Sequence, residues 1–254
     1  MLPSERQNKF ISLLASKEIV TISEFIKEFG ISIETVRRDL NILEKEDKIE
    51  KVYGGARLKD SILKEPAFEN RMSSRLVEKE WIGRKCSEFI NDGDCIFIDS
   101  GSTTYQISKY IKTKKNLIII TNSIPVINEL MDTDFEIIII GGKIRQFERS
   151  IVTYDYMFNF TKLNIQKCFI GAGGITPENG ISDFDIQEAA TRSIIIKRSK
   201  EVFVAADSSK FGKDVIINIA PLLKINYIVT DSALDENIVN SYNNSNVKII
   251  LVEY

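Results

Sequence analysis

Two adjacent arginines, Arg37 and Arg38, are the residues near the N-terminus best suited to bind a polyanion. They lie in the segment 32–43, in which apolar side chains recur every three or four residues, so we predict an amphipathic helix with both guanidinium groups on its solvent face. Ser32 is a suitable N-cap for this helix. A guanidinium can donate to base edges and to phosphates, and such a helix is typical of a DNA-reading element. For the two arginines taken alone, a solvated helix surface is the alternative.

The segments that flank this helix favour the DNA-reading interpretation. Thr21–Glu24 has the sequence of a capping box, and Gly30 suits the left-handed position that ends a helix. A first helix is expected over residues 4–15, and residues 48–55 alternate in polarity and end in glycines, as the hairpin wing of a winged helix does. Residues 1–60 contain 11 Lys+Arg and 11 Asp+Glu, so affinity for DNA would depend on where the positive charges lie.

The composition excludes several kinds of active site. The 254 residues include no histidine, which removes Ser-His-Asp and Cys-His mechanisms and His-ligated zinc. The three cysteines are far apart, so neither a disulfide framework nor a cysteine metal site is indicated. With 43% hydrophobic and 28% charged residues and a net charge of -2, the composition is that of an ordinary globular protein. No apolar run approaches the roughly 18 residues of a membrane span, so we expect a cytoplasmic protein without metal or cofactor.

Beyond residue 80, short apolar runs alternate with helical stretches. The runs rich in β-branched residues are predicted as strands over 95–98, 117–121, 135–140, 168–170, 201–205, 227–229 and 247–252. Helices are predicted over 81–90, 103–112, 124–131, 186–198 and 235–242. Because the runs are continuously apolar, their strands should be covered on both faces. This pattern predicts a doubly wound, largely parallel α/β sheet.

The chain is accordingly expected to form two domains. A winged helix-turn-helix domain would span residues 1–57, and an α/β domain would span residues 79–254. Residues 58–78 contain mixed charge, a proline and a Ser-Ser pair, and we interpret them as a linker with a short helical piece.

The loops after the predicted strands contain the second group of candidate residues, because ligands of such sheets bind beyond the carboxyl ends of the strands. Asp99–Thr104 lies between a strand and a helix, and its glycine, hydroxyls and amides could hold a phosphate. A simple helix cap is the alternative, since this loop has neither a Walker A ending nor a dinucleotide-binding pattern. Lys210, in the loop Asp207–Gly212, either holds an anionic or polyhydroxyl ligand or is solvated. Other such loops, with tight turns as the alternative, are Thr121–Ser123, Gly141–Gly142 and Gly171–Gly174. Gln187–Glu188, at the start of a predicted helix, either hydrogen-bonds sugar hydroxyls or only favours the helix dipole.

Motifs in both halves of the chain resemble those of one family. The N-terminal motifs are Glu5–Gln7, Ile31–Leu40 and Lys51–Ala56. The C-terminal motifs are Asp99–Thr104, Thr121–Ser123, Gly171–Ile175, Gly180–Ser182, Glu188–Ala189, Asp207–Gly212 and Val229–Asp231. In this order they resemble the DeoR family of transcriptional regulators, over residues 3–57 and 75–231.

The chain departs from that family pattern at a few positions. Lys51 stands where arginine is more usual, and Tyr53 stands where the family usually has histidine. After Gly141–Gly142 the family commonly has a serine and then a glycine three residues on, whereas this chain reads Ser150–Thr153 without that glycine.

The resemblance implies a winged-helix head followed by a sensor domain related to ribose-5-phosphate isomerase, with phosphorylated sugars or their breakdown intermediates as effectors. Together with the DNA-reading helix, it implies a repressor of a carbohydrate-metabolism operon that binds operator DNA. Because a single winged helix covers a short site, we expect a homodimer or homotetramer on repeated half-sites. The DNA-binding residues expected from it and from the helix pattern are Ser32, Thr35, Arg37, Arg38, Lys51 and Tyr53. The effector-binding residues that it implies are Asp99, Gly101, Ser102, Thr103, Thr104, Asn122, Glu188 and Lys210.

A sugar-phosphate isomerase-like enzyme is the alternative function. An isomerase needs a carboxylate base and a cation near the carbonyl, and Glu188 or Asp207 with Lys210 supplies those residue types. A fused DNA-reading head favours ligand sensing without turnover, so we expect no catalytic residue.

Overall fold

The computed structural model describes residues 3–15, 19–45, 48–58, 65–153, 159–242 and 245–253. Contacts between residues divide the chain into two compact units, Met1–Glu65 and Pro66–Tyr254. The second unit therefore begins within the segment 58–78 for which the sequence predicts a linker.

The first unit consists of short helices and a small antiparallel sheet. Its elements are α1 (Pro3–Ala15), α2 (Ile22–Phe29), α3 (Ile33–Lys45), β1 (Val20–Thr21), β2 (Ile49–Val52) and β3 (Gly55–Leu58). Strand β3 lies between β1 and β2 and is antiparallel to both. This arrangement confirms the predicted helix-turn-helix with a hairpin wing.

Local sequence signals fix the turn between α2 and α3. The hydroxyl of Thr21 accepts from the amide of Glu24 at 3.3 Å, and the Glu24 carboxylate accepts from the Thr21 amide at 2.8 Å. Gly30 follows α2 with a φ of 61°, a left-handed conformation that glycine adopts without strain. The hydroxyl of Ser32 accepts from the amide of Thr35 at 3.3 Å and so caps α3.

A small apolar core joins the helices of the first unit to its sheet. The ring of Phe10 packs against those of Phe25 and Phe29, with centroids 4.4 and 5.0 Å away. The other buried side chains of this core are Leu14, Val20, Val36, Leu40, Leu43, Ile49 and Ala56. Helix α3 contributes to the core along one stripe, as its 3–4 spacing predicts, and its opposite face is exposed to solvent.

The second unit is built around a parallel sheet. Its strands are β4 (Cys95–Ile98), β5 (Ile118–Thr121), β6 (Glu136–Ile139), β7 (Lys143–Arg145), β8 (Ser150–Val152), β9 (Ile165–Ile170), β10 (Gly174–Thr176), β11 (Gly180–Asp183), β12 (Ser199–Ala205), β13 (Ile217–Ala220), β14 (Tyr227–Asp231) and β15 (Lys248–Val252). Within the described residues, seven of them form one sheet in the order β15-β14-β12-β9-β4-β5-β6, with every neighbouring pair parallel. Each of the seven overlaps a predicted apolar run.

Helices cover both faces of this sheet. They are α4 (Phe68–Ser73), α5 (Leu76–Ser87), α6 (Thr104–Tyr110), α7 (Ile124–Leu130), α8 (Ile186–Arg198) and α9 (Glu236–Ser241). Ile96 and Ile98 of β4 pack with α5, α6 and α7, whereas Phe97 belongs to the core that contains α8 and α9. The predicted doubly wound fold is therefore confirmed. In the described ranges, none of the helices is long and apolar enough to cross a membrane.

The order of the strands creates a crevice beside β4. From β4 the chain proceeds through β5 to β6 at one edge, and it then returns to β9 on the other side of β4. The carboxyl ends of β4 and β9 therefore lie at the topological switch point of the sheet, where ligands of such folds bind. Asp99 follows β4 directly, and Gly171 follows β9 directly.

Several elements of the second unit were not predicted. Strands β7 and β8 form a hairpin, and β10, β11 and β13 form a separate antiparallel sheet, in segments too short or too polar to give a strand pattern. Helix α4 and the start of α5 lie in the expected linker 58–78. Phe68 of α4 is only 4% exposed, and its burial explains why residues from Pro66 on belong to the second unit.

Candidate functional site

The face of α3 that points away from the core carries the predicted DNA-binding arginines. Arg37 and Arg38 are exposed, whereas the adjacent Asp39 is buried. Thr35 is half-buried, and its hydroxyl lies 3.1 Å from that of Ser32. A capped helix with two exposed guanidinium groups can reach base edges and phosphates in a major groove.

The wing is connected to α3 through Lys51. Its ammonium donates to Asn41 Oδ1 at 2.7 Å and lies 2.6 Å from Glu44 Oε2. Tyr53, in the turn between β2 and β3, is fully exposed. Of the two wing residues predicted to contact DNA, Tyr53 therefore projects into solvent, and Lys51 has two partners on α3.

A buried ion pair that the sequence analysis missed fixes α3 against α1. Arg6 Nε donates to Asp39 Oδ2 at 2.6 Å, and Gln7 Nε2 donates to Asp39 Oδ1 at 3.2 Å. The side chains of Arg6 and Asp39 are 9% and 1% exposed, and their hydrogen bond raises the pKa of Arg6. Because both contacts hold one edge of α3 inward, they orient Arg37 and Arg38 towards solvent.

In the second unit, a buried carboxylate closes the crevice between β4 and β9. Asp99 Oδ2 accepts from the Gly171 amide at 2.9 Å and from Arg192 Nε at 2.6 Å. Burial raises the pKa of Asp99, although the charge of Arg192 acts in the opposite direction. Asp99 Oδ1 is buried and has no hydrogen-bond partner among the residues that the structure describes. This oxygen can accept a hydrogen bond from a ligand.

Arg192 of α8 lies at the centre of the polar network around Asp99. Its guanidinium contacts the carboxylates of Asp99, Asp183 and Glu188, the last at 2.9 Å. All four side chains are buried. Burial alone would lower the pKa of Arg192, but the carboxylates raise it well above its ordinary value. Arg192 therefore remains charged and connects α8 to the residue after β4 and to the last residue of β11.

Glu188, in the first turn of α8, is surrounded by hydrogen-bond donors. Arg145 Nη1 donates to its Oε1 at 2.8 Å, and the hydroxyl of Ser150 donates to the same oxygen at 2.6 Å. Burial alone would raise the pKa of Glu188, but Arg192, Ser150 and Arg145 lower it. An ionised carboxylate with this many donors is a weak general base.

Asn122 continues the network to the end of β5. Its Nδ2 donates to Ser100 Oγ at 3.5 Å, and the Ser100 hydroxyl donates to Glu188 Oε2 at 3.4 Å. Within the described part of the chain, Asn122 Oδ1 is buried without a hydrogen-bond partner. Asn122 and Asp99 thus each provide an unused acceptor at neighbouring strand ends.

A cleft opens beside this network. The loop after β4 lines it with Gly101, Ser102 and Thr103, and Lys210 and Arg71 also line it. Ser102 and Thr103 are largely buried, at 5% and 6% exposure. Hydroxyls and cations around a small polar cleft are suited to an anion such as phosphate.

Thr104 supports this loop from within. Its hydroxyl donates to the carbonyl oxygens of Asp99 at 2.8 Å and Gly101 at 2.9 Å. A Cβ atom added at Gly101 would lie 2.9 Å from Thr104 Oγ1, so the loop needs glycine at that position. The structure therefore places the Thr104 hydroxyl inside the loop, whereas Ser102 and Thr103 line the cleft.

The predicted effector residues fall into distinct groups in the structure. Those that line the cleft are Gly101, Ser102, Thr103 and Lys210. Those of the buried network and the loop interior are Asp99, Asn122, Glu188 and Thr104. Charged residues of the site that the sequence analysis missed are Arg71, Arg145, Asp183 and Arg192. The spacing of Arg192, four residues after Glu188 on a predicted helix, was a signal that could have found it.

A solved structure resembles part of the chain at low similarity. Ribose 5-phosphate isomerase A from Methanocaldococcus jannaschii has a TM-score of 0.41 and 14% identity, and the match covers 54% of this chain and 55% of that one. A likeness this distant carries no argument about function.

Sequence relatives identify the family. Residues 6–62 match the DeoR-like helix-turn-helix domain, and residues 74–232 match the DeoR C terminal sensor domain. The HTH-type transcriptional regulator IolR of Bacillus subtilis is 37% identical over 239 residues, which cover 94% of this chain and 95% of IolR. The glycerol-3-phosphate regulon repressor of Escherichia coli is 33% identical over 236 residues, which cover 91% of this chain and 92% of the repressor. The chain therefore belongs to the DeoR family of transcriptional regulators.

Proposed function

We propose that the protein represses a carbohydrate-metabolism operon and that its affinity for operator DNA changes when a phosphorylated sugar, or an intermediate derived from one, binds to the second unit. The observation that carries this proposal is the small cleft at the switch point of the sheet, which Ser102, Thr103 and Lys210 line together. In the same chain, α3 presents Arg37 and Arg38 to solvent as a DNA-reading helix does.

The DNA contacts would be made mainly by α3. One of Arg37 and Arg38 would reach a base edge and the other a phosphate, while Ser32 and Thr35 would contact the backbone near the start of the helix. Lys51 and Tyr53 of the wing would add contacts outside the groove that α3 occupies. A single winged helix covers a short site, so a homodimer or homotetramer on repeated half-sites would supply the affinity.

The effector would bind with its phosphate in the cleft and its hydroxyl groups towards the strand ends. Ser102 and Thr103 would donate to phosphate oxygens, and Lys210 would neutralise their charge. The unused acceptors Asp99 Oδ1 and Asn122 Oδ1 would accept from sugar hydroxyls. The name of the E. coli relative, a glycerol-3-phosphate regulon repressor, supports a small phosphorylated polyol or sugar as the class of ligand.

Sensing without turnover is favoured over isomerase chemistry by the state of the carboxylates. Glu188 already accepts hydrogen bonds from Arg145 and Ser150. Burial would raise the pKa of Asp207, but the hydrogen bond from Ser209 and the charge of Lys210 lower it. Neither carboxylate is then poised to take a proton from a substrate near neutral pH.

A thermal-shift screen of the intact protein against phosphorylated sugars, each paired with its unphosphorylated form, tests the proposal. We expect at least one phosphorylated compound to raise Tm and to change gel-shift affinity for DNA from the protein's own promoter. Ser102→Ala combined with Thr103→Ala should abolish both responses and leave DNA binding intact. Ser241→Ala, which removes an exposed hydroxyl elsewhere in the same unit, is the control.

Two results would contradict the proposal. One is an effector response of the double variant at wild-type concentrations. The other is saturable conversion of a sugar phosphate that Lys210→Ala abolishes, which would establish the isomerase alternative.

A further inference from the structure

We propose that Arg71 is an anion ligand of the sensor that Glu148 neutralises until the anion binds, so that ligand binding exchanges one partner of Arg71 for another. The proposal rests on the function proposed above, because it concerns the same cleft. In this proposal the anion is bound by a residue of α4, the helix that follows the boundary between the two units. Glu148 competes with the anion for the guanidinium of Arg71.

The position of Arg71 is the first observation. Its side chain lines the cleft together with Gly101, Ser102, Thr103 and Lys210. The guanidinium also forms an ion pair with the carboxylate of Glu148. Arg71 therefore contacts a buried anion of the protein and faces the space where an external anion would lie.

The environment of Glu148 is the second observation. The residue lies in the loop between β7 and β8 and is 1% exposed. Its Oε1 has no hydrogen-bond partner in the ranges that the structure describes. A buried carboxylate with one unsatisfied oxygen depends strongly on its cation. A phosphate dianion, however, offers the same cation more negative charge and more acceptor oxygens than the carboxylate does.

The anchoring of α4 gives the exchange a structural consequence. Besides the Arg71 ion pair, the Phe68 amide donates to the carbonyl of Phe147 at 3.4 Å, and Arg149 Nε donates to Glu69 at 2.9 Å. These contacts of α4 all go to one loop, 146–149. If the Arg71 side chain moves to a bound phosphate, its ion pair with Glu148, the most buried of these contacts, is lost. Helix α4, at the start of the second unit, is then held to that loop by fewer contacts. Since α4 follows directly on the connection from the DNA-binding unit, this is a route by which an anion alters the chain next to that unit.

Inorganic phosphate is the probe, titrated into the intact protein by calorimetry at pH 7.5, with chloride added to hold the ionic strength constant. We expect Arg71→Met to weaken phosphate binding at least tenfold. Glu148→Gln keeps the size of the side chain but removes its charge, so it should tighten phosphate binding at least threefold. The double variant should bind as weakly as Arg71→Met alone, because Glu148 acts through Arg71.

Glu69→Gln is the matched control. It removes an ion pair between the same helix and the same loop, but Glu69 and Arg149 are exposed and do not line the cleft. Its phosphate affinity should stay within twofold of the wild type. A gain of affinity in Glu148→Gln cannot come from misfolding, so that variant decides the matter even if Arg71→Met is unstable.

Failure of the Arg71 exchange and failure of the proposed function give different results. If Glu148→Gln binds phosphate no more tightly than Glu69→Gln, the exchange is overturned, and the function proposed above survives as long as Ser102→Ala with Thr103→Ala still loses binding. If the wild-type protein binds neither phosphate nor any phosphorylated sugar, the proposed function fails and the exchange fails with it.

Discussion

Arg192 Nε lies 2.6 Å from Asp99 Oδ2 and so joins the middle of α8 to the carboxyl end of β4, across 93 positions of the sequence. The same carboxylate oxygen accepts from the amide of Gly171 after β9. One ion pair therefore holds the two strand ends of the switch point and the helix that carries Glu188. The shape of the candidate effector site therefore depends on this pair.

Replacing Arg192 by lysine should destabilise the second unit strongly. A lysine keeps the charge but has one ammonium where the guanidinium has several donors, so it cannot pair with Asp99, Asp183 and Glu188 together. Leaving buried carboxylates unpaired costs about 3–5 kcal/mol. We expect Arg192→Lys to lower the free energy of unfolding by this amount in urea titrations followed by fluorescence of Trp81, the single tryptophan.

Arg198→Lys is the control for that prediction. It makes the same chemical change at the exposed end of α8 and should leave the free energy of unfolding within about 0.5 kcal/mol of the wild type. Equal stability of Arg192→Lys and Arg198→Lys would mean that the buried network does not hold the site together.

The sequence predicts the parallel sheet well because its strands are buried on both faces. A run such as Cys95–Ile98 is apolar throughout, as is typical of a strand that is covered on both faces. The antiparallel strand Gly180–Asp183 gives no such signal, since it combines a glycine, a serine and an aspartate. It is buried between its neighbours β10 and β13. Tertiary contacts decide its conformation.

The effector part of the candidate site was predictable mainly in its loops. Glycine and hydroxyl residues after a strand point to an anion site, which is how Gly101 and Ser102 are found. Asp39 and Arg192 are different, because a charged residue on a predicted helix is normally solvated. Their burial becomes visible only when the partners Arg6 and Asp99, distant in sequence, are brought next to them.

Replacing Arg37 by alanine should weaken operator binding by about 1–3 kcal/mol if it makes a bidentate contact with a base. The reason is its exposure on the outer face of α3, next to the buried Asp39. The measurement is a gel shift with DNA from the protein's own promoter. Lys9→Ala, which removes an exposed cation from α1, should change affinity much less. If the two variants bind alike, Arg37 lies outside the interface.

Replacing Asp39 by asparagine should destabilise the packing of α1 against α3 without changing the residues on the exposed face of α3. The change removes the charge that pairs with buried Arg6 and leaves that guanidinium without a counterion, at a cost of about 3 kcal/mol. Hydrogen exchange of the intact protein should show faster exchange in α1 and α3 by more than tenfold. Glu34→Gln, an exposed acid on the same helix, should exchange like the wild type. Unchanged protection in Asp39→Asn would show that the ion pair does not orient α3.

Lys79 should make the stability of the second unit depend on pH in the alkaline range. Its ammonium is buried beside the α4–α5 turn and donates to the carbonyl of Ser74 at 2.7 Å. Burial lowers the pKa of Lys79 to about 8; Lys210 and Arg71 also lower it, and Asp207 acts in the opposite direction. Between about pH 8 and 10.5 the unfolded chain then holds a proton that the folded chain has lost, so the free energy of unfolding should rise with pH in this window.

The comparison with Lys79→Met isolates this effect from other groups that titrate at alkaline pH. The difference in free energy of unfolding, wild type minus variant, should be constant below about pH 7 and should increase by up to about 3 kcal/mol between pH 8 and 10.5. Urea unfolding followed by circular dichroism at several pH values measures it. Lys85→Met removes a half-buried lysine from the same helix and should give a difference that is flat with pH. If the difference for Lys79→Met is flat as well, the buried ammonium keeps its ordinary pKa. The charge of Asp207 and the surrounding carbonyl groups would then fully offset the effect of desolvation on the pKa of Lys79.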